Sequence, residues 1–272
     1  MISVLIPAYN EEKTISKLLK EYEGLENLYE VIVITNGCSD NTMTEAKKFK
    51  FVKIINLSIG SKVIAINEGI KLISGDRVMI QDADVIIKHE SLVNLSNDKN
   101  SKEYDFFTLE PKFIGGSFLV RKFYKFMMLT PVFKKGMVSA GVYIISNKVI
   151  DKVFPLPNVI SDDGFVKSSL GENNLFKIKN SFSNVLIPND LYSLVKIKTR
   201  SRMGNLQLKH IFGFSPSVKG NEQKKLFLLA VNNKEFFSYF IYVLVTIVCR
   251  ARAFIFIKLS KDDIWERDDS NR

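Results

Sequence analysis

Apolar and polar positions near the start of the chain follow two spacings in turn. Continuous apolar runs such as YEVIVITN are typical of strands that helices cover on both faces. Between them lie segments such as SKVIAINEGIKLI, in which apolar residues recur every three or four positions, as on one face of a helix. The strand-like runs here are ISVLIPAY, YEVIVITN, FVKIINL and DRVMIQDAD. This alternation predicts right-handed crossovers and an α/β fold with a Rossmann-like, mostly parallel sheet flanked by helices.

Beyond Lys88 the pattern is less regular. A helix is predicted for FLVRKFYKFMMLTPVFKK, a strand for GVYIISN, and two short strands for FKIKNS and NVLIPND. A basic stretch, VKIKTRSRMGNLQLKH, then leads into an apolar tail. We therefore predict a domain of residues 1–200 followed by a C-terminal helical region of residues 201–272.

The tail, residues 236–258, is apolar from Phe236 to Cys249 and is then interrupted by Arg250 and Arg252. Spanning a bilayer takes about 20 predominantly apolar residues, and arginines inside the span are costly. We therefore expect a helix that lies in the membrane interface or docks on a membrane partner, with a buried core helix as the alternative. Basic residues before and within the segment favour the anionic cytoplasmic leaflet.

Composition and charge narrow the class of protein. With 46% hydrophobic residues in 272, the chain has enough apolar surface for a full core. The formal net charge of +10 indicates a polyanionic partner or simply a solvated basic surface. Nucleic acid is not the expected partner, because the aromatic residues sit in apolar runs and no zinc-finger or RNA-recognition motif is present.

The two cysteines and the N-terminal segment bear on location. Cys38 and Cys249 cannot build a disulfide framework, which favours a reducing compartment. The segment MISVLIPAYN enters a strand at once, without the basic region of a signal peptide. We therefore expect a cytoplasmic protein associated peripherally with the inner face of the cell membrane.

The segment VMIQDADVII places Asp82 and Asp84 within strand-forming residues. Side chains two apart on a strand point the same way, so both carboxylates are predicted to aim at one point. That point falls at the carboxyl end of a strand, where doubly wound sheets bind ligands. Two carboxylates suit Mg²⁺ or Mn²⁺, which usually bind one or two carboxylates and substrate phosphates. The two histidines, His89 and His210, are far apart and are interpreted as surface residues.

Six motifs follow one another along the chain: SVLIPAYNEEKTI, EVIVITNGCSDNT, GSKVIAINEGI, MIQDADVII, SAGVYIISNKVI and SDDGFV. In order and approximate spacing they resemble the motifs of family 2 glycosyltransferases, which have the GT-A fold. The resemblance covers Met1 to about Gly171, and the closing RARAFIFIKLSKDDIWERDDSNR is similar to the tail of bacterial members that build surface glycans.

The resemblance implies roles for particular positions. The residues implied in binding the nucleotide sugar are Pro7, Ala8, Tyr9, Glu11, Asn36, Asp40, Lys62, Asp82, Arg200 and Arg202. Asp84, together with Asp82, would hold the metal ion. Asp163 would be the catalytic base, with Asp162 beside it. Residues 1–100 would be the nucleotide-binding half of the domain and residues 101–200 the acceptor-binding half.

The chain departs from the family at two positions. Members usually carry an aspartate at Asn36, where the carboxylate accepts a hydrogen bond from uracil, and a glutamate at Asp162. The amide of Asn36 can accept or donate, which leaves uridine and guanosine open as the base. Two further alternatives also stay open: Asp163 as a helix N-cap, and the TRSRMG arginines as part of a basic membrane-facing loop.

The resemblance implies an inverting, metal-dependent glycosyltransferase. It would move a sugar from a UDP- or GDP-sugar to a hydroxyl of a lipid-linked or surface-glycan acceptor. One alternative is a phosphoaspartyl phosphatase, although its D-x-D motif follows the first strand and here three strand–helix units precede it. The other is a non-catalytic, membrane-docked, nucleotide-binding scaffold, which predicts that the acids are missing. A dehydrogenase is disfavoured because no G-x-G-x-x-G follows the first strand.

Overall fold

The computed structural model describes residues 1–98, 103–136, 140–214 and 222–258. The chain forms two compact units, each built from several stretches of sequence. The sheet unit comprises Met1–Lys112, Gly136–Asn158 and Phe165–Val185. The helical unit comprises Phe113–Lys135, Val159–Gly164 and Leu186–Arg272. The domain division after residue 200, inferred from the sequence, stays a prediction.

Eight strands form one sheet in the described part of the chain. They are β1 (Ile2–Ala8), β2 (Tyr29–Asn36), β3 (Lys53–Leu57), β4 (Arg77–Gln81), β5 (Val85–Ile87), β6 (Phe106–Gly115), β7 (Val142–Ser146) and β8 (Phe176–Ile187). Their order across the sheet is β3-β2-β1-β4-β7-β6-β8-β5. The first four strands are parallel, as expected, whereas β7 pairs antiparallel with β4 and β6, and β5 pairs antiparallel with β8. The α/β class is confirmed. In the described residues the parallel pairs join β1–β4, and the sheet as a whole is mixed.

Helices surround this sheet and make up most of the second unit. Those of the sheet unit are α1 (Ile15–Lys20), α2 (Thr42–Ala46), α3 (Lys62–Ile70) and α4 (His89–Asn97). Those of the helical unit are α5 (Phe118–Leu129), α6 (Pro131–Lys135), α8 (Leu191–Phe212), α9 (Glu222–Asn232) and α10 (Phe236–Lys258). Helix α7 (Asp162–Leu170) begins in the helical unit and continues in the sheet unit.

Strand β2 shows why the apolar runs predict a covered sheet. Val31 and Val33 belong to the core cluster on one face, and Ile32 and Ile34 belong to the cluster on the other face. Helix α3 covers the second face. A Cβ atom on its Gly69 would lie 3.1 Å from the Cδ1 atoms of Ile34 and Leu5, so the glycine lets the helix approach the strands closely.

Helix α10 confirms a helix over residues 236–258 and has two different faces. Its buried side chains, Ile241, Val245, Cys249 and Ala253, recur every four residues and face α5 and α8. In the apolar 18-residue window within Phe236–Phe256, only 22% is buried inside the protein. The alternative of a buried core helix therefore does not describe α10. By length and composition alone the helix could cross a membrane.

Three local expectations differ from the structure. The run VMIQDADVII is not one strand, since β4 ends at Gln81 and β5 begins at Val85. FKIKNS and NVLIPND form one strand, β8, in place of two. The basic stretch VKIKTRSRMGNLQLKH lies within helix α8, which contradicts the interpretation of the arginines as part of a loop.

A buried glutamate joins the parallel strands. Glu30 on β2 accepts hydrogen bonds from Ser3 on β1, from Lys53 on β3, and from the N–H and hydroxyl of Ser74, the last two at 2.8 Å. Burial by itself raises the pKa of this carboxyl, but the hydrogen bonds from Lys53, Ser3 and Ser74 outweigh burial and lower it to about 2. The ionised carboxylate therefore stabilises the parallel half of the sheet.

We predict that Glu30→Gln lowers the free energy of unfolding at pH 7 by on the order of 2 kcal/mol. Because the folded pKa lies below the unfolded value, the stabilisation is present above roughly pH 4.3 and is lost as the pH falls towards 2. Urea unfolding of both proteins at several pH values measures this. Glu68→Gln is the control, since its exposed pair with Lys71 should contribute only about 0.5 kcal/mol. A Glu30→Gln effect that is the same at pH 3 and pH 7 would contradict the assignment.

Candidate active site

Two loops that follow parallel strands are fastened to each other by side chains. Asp40, after β2, accepts hydrogen bonds from the N–H of Glu12 at 3.1 Å and from the N–H of Thr42 at 3.0 Å. Burial raises the pKa of Asp40, but the bonds from Thr42 and Glu12 lower it below its usual value overall. Glu11 is buried, donates its N–H to the Thr42 hydroxyl and accepts a bond from the Thr14 hydroxyl. Asp40 and Glu11 thus hold the loops in shape, whether or not they also touch a nucleotide.

Tyr9 lies against Gly60, which in turn lies close to Gly37. A Cβ atom on Gly37 would be 2.7 Å from the Gly60 nitrogen, so only glycine allows the loops after β2 and β3 to come this close. The Tyr9 ring lies 3.5 Å from the position that a Cβ on Gly60 would occupy, and the residue is 40% exposed. An exposed aromatic ring at the carboxyl edge of parallel strands is suited to contact a planar base.

The other residues of this edge are buried. Pro7 and Ala8 belong to β1, and both residues are buried. Asn36 is also buried, and its Nδ2 donates to the carbonyl of Ala8 at 3.0 Å and to that of Ile34 at 3.4 Å. Because the NH₂ group makes these bonds, the carbonyl oxygen of the Asn36 amide is the group left to accept a bond.

The two candidate metal ligands lie on a turn. The Asp82 N–H donates to the Gly141 carbonyl at 2.8 Å, and the Asp82 carbonyl accepts from the Val85 N–H at 3.0 Å. The expectation that strand alternation directs both carboxylates is wrong, because the strand ends before them. Burial still alternates through the turn, with Ala83 buried, Asp82 partly buried and Asp84 exposed.

Lys62 and Asp82 form an ion pair. Lys62 is the first residue of α3, whose N-cap, Ser61, accepts a bond from the Ile64 N–H. The Nζ atom of Lys62 lies 2.8 Å from Asp82 Oδ1, and the side chains of Lys62 and Asp82 are both partly buried. A cation is thus fixed beside the acidic turn, and it lowers the electrostatic cost of placing neighbouring carboxylates there.

Gly141 and Gln81 support the turn, and the sequence did not single them out. Gly141 has φ +78°, and a Cβ there would lie 2.6 Å from Val85 Cγ2 and 3.0 Å from Asp82 Oδ2. Gln81 is buried, accepts a bond from the Tyr22 hydroxyl and donates to the Val85 carbonyl at 2.7 Å. The sequence offered one signal for Gly141, because this glycine stands directly before a strand. It offered none for Gln81, because Tyr22, which contacts it, is far away in sequence.

The carboxylates of Asp82 and Asp84 fit a hard divalent ion whose remaining coordination positions are filled by a bound substrate. In the parts of the chain that the structure describes, no three His, Cys, Asp or Glu side chains are grouped to hold a metal. Two carboxylates on a turn match the ions that take one or two protein carboxylates together with phosphate oxygens. His89 is exposed and its Nδ1 lies 3.1 Å from the Glu21 carbonyl, and His210 is exposed on α8, as expected of surface residues.

The acidic pair Asp162 and Asp163 starts helix α7. Asp162 is buried, and Asp163 Oδ1 accepts bonds from the Ser161 hydroxyl at 2.7 Å and from the Gly164 N–H at 2.8 Å. The N-cap interpretation of Asp163 is wrong, because the helix begins at Asp162 and the residue before it, Ser161, caps it by accepting a bond from the Gly164 N–H at 3.2 Å. Asp163 lies in the first turn of α7.

Arg200 and Arg202 lie on helix α8 of the helical unit. Burial lowers the pKa of Arg202, and so does the like charge of Arg250 on α10. Arg202 on α8 and Arg250 on α10 therefore repel each other, and together they provide a positive potential suited to an anion.

Residues 3–149 match the model of "Glycosyl transferase family 2". Poly-beta-1,6-N-acetyl-D-glucosamine synthase of Staphylococcus epidermidis is 38% identical over 108 residues, which are 37% of this chain and 26% of that relative. The chain therefore matches about a quarter of the length of this curated relative.

Two solved structures are similar at low sequence identity. The mannosyltransferase PcManGT from Pyrobaculum calidifontis, in complex with GDP-Man and Mn²⁺, has a TM-score of 0.59 at 13% identity. The match covers 96% of this chain and 79% of the PcManGT chain. S. aureus TarS in complex with UDP-GlcNAc has a TM-score of 0.57 at 17% identity, and that match covers 87% of this chain and 72% of the TarS chain.

The order of strands in the mixed sheet, together with these structural neighbours, shows the GT-A fold. The chain belongs to glycosyl transferase family 2. This membership contradicts the phosphatase alternative, as does the position of the acids after the fourth strand.

We predict that Gly141→Ala both destabilises the protein and displaces Asp82. Gly24→Ala is a matched control, because Gly24 has the same φ of +78° with nothing within 4 Å of its Cβ position. The control should lose only the backbone cost of about 1 kcal/mol, while Gly141→Ala also meets Val85 and Asp82. Thermal unfolding and sugar-transfer assays of both variants measure this. Equal losses in the two variants would show that the close contact at Gly141 has no influence on Asp82.

Proposed function

We propose that this chain is an inverting, metal-dependent glycosyltransferase that uses a UDP- or GDP-sugar. The observation that carries the proposal is the acidic turn after β4, with Asp84 exposed on it and Asp82 paired to Lys62 at 2.8 Å. Because Asp84 is exposed on the turn and matches the metal-binding position that the family resemblance implies, we assign it as the principal metal ligand. Asp82 is assigned to the ribose and to a shared contact with the ion.

The proposed ion is Mn²⁺ or Mg²⁺, held by Asp84 and Asp82 and by the donor diphosphate. When bound, it neutralises negative charge on the departing diphosphate. PcManGT, solved with Mn²⁺ and GDP-Man, supports this choice by analogy. Lys62 and the arginines Arg200 and Arg202 are proposed to add positive charge for the same diphosphate.

Asn36 restricts the base of the donor. Its NH₂ group donates to the Ala8 and Ile34 carbonyls, so its oxygen accepts from the base. Uracil and guanine carry a ring N–H that can donate to this oxygen, whereas cytosine can donate only through its exocyclic amine. The Tyr9 ring is proposed to cover the face of the base. We therefore propose UDP- and GDP-sugars as donors in preference to cytidine nucleotides.

Asp163 is proposed to be the base. Its carboxylate takes the proton from the acceptor hydroxyl, the acceptor oxygen bonds to the anomeric carbon, and the bond from that carbon to the diphosphate oxygen breaks. The nucleoside diphosphate leaves with the electron pair. A single displacement of this kind inverts the anomeric centre. Asp162, buried beside Asp163, is proposed to hold the first turn of α7 in place.

The exposed face of α10 is proposed to contact the cytoplasmic membrane surface, where the acceptor is lipid-linked or part of a surface glycan. Phe237, Phe240, Leu244 and Ile247 lie along one exposed stripe. Exposed basic residues accompany it: Arg250 and Lys258 on α10, and Lys224 and Lys225 on α9. An apolar stripe with basic neighbours matches the interface of an anionic leaflet.

The test of the donor is a thermal-shift screen of UDP-, GDP-, CMP- and dTDP-sugars and of NAD, each with and without Mn²⁺. A ligand that binds only the folded state raises the melting temperature by mass action. We expect a manganese-dependent rise with a UDP- or GDP-sugar and none with the CMP-sugar or NAD. The absence of a shift with every nucleotide would contradict the proposal.

Two variants separate binding from chemistry. Asp84→Asn is expected to lose both the manganese-dependent shift and transfer. Asp163→Asn should keep the shift and lose transfer by about 10²- to 10⁴-fold, as is typical for removal of a general base. Asp151→Asn, at an exposed position, is the control. If both variants retained full transfer, the non-catalytic scaffold or another site would replace this proposal.

The membrane contact is tested by co-sedimentation with vesicles. Phe240→Ser combined with Leu244→Ser should weaken binding to vesicles that contain anionic phosphatidylglycerol, and binding of the unchanged protein should fall with added salt. Leu72→Ser, which removes an exposed leucine in the sheet unit, should have no effect. Equal binding by all three proteins, or no binding by the unchanged protein, would contradict a membrane contact through α10.

A further inference from the structure

Tyr22 is a buried tyrosine of the sheet unit with no role in the reaction proposed so far. It follows α1 and belongs to the core cluster that also contains Val4 and Ile6 of β1. Its hydroxyl donates to Oε1 of Gln81, the last residue of β4. A hydroxyl in an apolar core costs free energy unless it is hydrogen-bonded, so Gln81 is the group that allows a tyrosine at this position.

The side-chain amide of Gln81 has a single orientation. Gln81 is buried, and its Nε2 donates to the Val85 carbonyl at 2.7 Å. Because a carbonyl only accepts, the NH₂ group must face Val85 and the amide oxygen must face Tyr22. The Tyr22 hydroxyl is therefore the donor in the second bond. Removing this hydroxyl leaves the buried amide oxygen without that bond, which is costly in the core.

The bonds of Gln81 close the acidic turn from the core side. Gln81 directly precedes the turn and Val85 directly follows it. The Val85 N–H also donates to the Asp82 carbonyl at 3.0 Å. The Val85 side chain is buried, with Cγ2 2.6 Å from the Cβ position of Gly141. Val85 is thus held at its carbonyl, its N–H and its side chain, and this restrains the backbone of Asp84, the residue before it.

We propose that Tyr22 is a positioning residue for the metal site, and that it acts through Gln81 on the backbone that presents Asp84. This inference rests on the proposed role of Asp84 as a metal ligand. A ligand that is already held in place gives up less conformational freedom when the ion binds, so groups that support a ligand raise the affinity of the site. Tyr22 holds Gln81 from the core, and Gln81 holds the end of the turn.

Tyr29 on β2 is a matched comparison for Tyr22. It is buried in the same core cluster, and the two rings meet edge to face with their centres 5.5 Å apart. The Tyr29 hydroxyl donates to the Leu92 carbonyl on α4 at 2.7 Å. Changing either tyrosine to phenylalanine therefore removes one buried hydrogen bond. Of the two acceptors, Gln81 stands beside the acidic turn, whereas Leu92 belongs to a helix.

The test compares Tyr22→Phe with Tyr29→Phe in the full chain. UDP and GDP are each held at a fixed concentration, and Mn²⁺ is titrated while the melting temperature is measured. We expect the two variants to lose similar amounts of Tm without ligand. The Mn²⁺ concentration that gives half of the maximal rise in Tm should increase about 10-fold in Tyr22→Phe, as is typical when a group that supports a metal ligand is lost. It should stay unchanged in Tyr29→Phe.

Hydrogen exchange followed by NMR tests the turn without a metal ion. The reporter is the Val85 N–H, which donates to the Asp82 carbonyl inside the turn. Tyr22→Phe should speed the exchange of this N–H about 10-fold more than Tyr29→Phe does, because it loosens the turn locally. Backbone N–H groups of β1 serve as the reference, because they report the general loss of stability that both variants share.

Gln81→Met tests whether Tyr22 acts through Gln81. Methionine keeps an unbranched side chain of similar length and lacks the amide groups that bond Tyr22 and Val85. We expect Gln81→Met to weaken Mn²⁺ binding at least as much as Tyr22→Phe does. Adding Tyr22→Phe to Gln81→Met should then cause no further loss of Mn²⁺ affinity, because the effects of residues that act through one contact are not additive.

Three results would overturn the inference. The first is an Mn²⁺ midpoint that is the same in Tyr22→Phe and Tyr29→Phe, because the Tyr22 hydroxyl would then have no particular influence on the metal site. The second is equal exchange of the Val85 N–H in these two variants. The third is a further loss of Mn²⁺ affinity in the double variant, because Tyr22 would then act by another route. If the unchanged protein showed no Mn²⁺-dependent rise in Tm with either nucleotide, the proposed function would be contradicted instead, and the exchange of Val85 would still decide whether Tyr22 holds the turn.

Discussion

The acidic turn depends on the change of strand direction at β4. On one side β4 pairs parallel with β1, and on the other it pairs antiparallel with β7. The antiparallel register sets Gln81 opposite Val142, so the next residue, Asp82, meets Gly141 and donates its N–H to that carbonyl at 2.8 Å. An antiparallel strand begins where its partner ends, and this places a backbone acceptor at the point where the chain must turn. The turn is therefore built by the sheet itself.

Three side chains at this edge of the sheet unit hold the turn and the neighbouring loops in fixed positions. Lys62 holds one oxygen of Asp82, Gln81 supports the backbone of the turn from inside the core, and Asp40 joins the loops after β1 and β2. The helical unit uses the same device at its own acidic segment, where Gly204 lets α8 lie against Ser161. In both units a glycine without a Cβ brings backbone close to the residues that present a carboxylate. Preorganised charges of this kind are the usual source of electrostatic stabilisation in enzymes.

The sequence predicted what depends on local periodicity. The parallel strands β1–β4 and the helix over residues 236–258 follow from apolar spacing, and family motifs located the acidic turn and the DD pair. It did not predict that the strand ends at Gln81, because Asp82 and Asp84 stand two residues apart within an uninterrupted run of strand-forming residues, VMIQDADVII. The roles of Gly141 and Gln81 were also missed. Each depends on partners that are distant in sequence, Asp82 and Val85 for Gly141 and Tyr22 for Gln81. Without the folded chain, such residues cannot be told from ordinary ones.

The central claim is that the turn after β4 holds a divalent ion that neutralises a departing diphosphate. The most direct measurement is a crystal structure of the full chain soaked with Mn²⁺ and the UDP- or GDP-sugar that stabilises it. The account predicts that a carboxylate oxygen of Asp84 and oxygens of the diphosphate coordinate the same ion, with Lys62 still paired to Asp82. An ion bound elsewhere, or a nucleotide sugar bound with the Asp84 side chain directed away from its diphosphate, would contradict it.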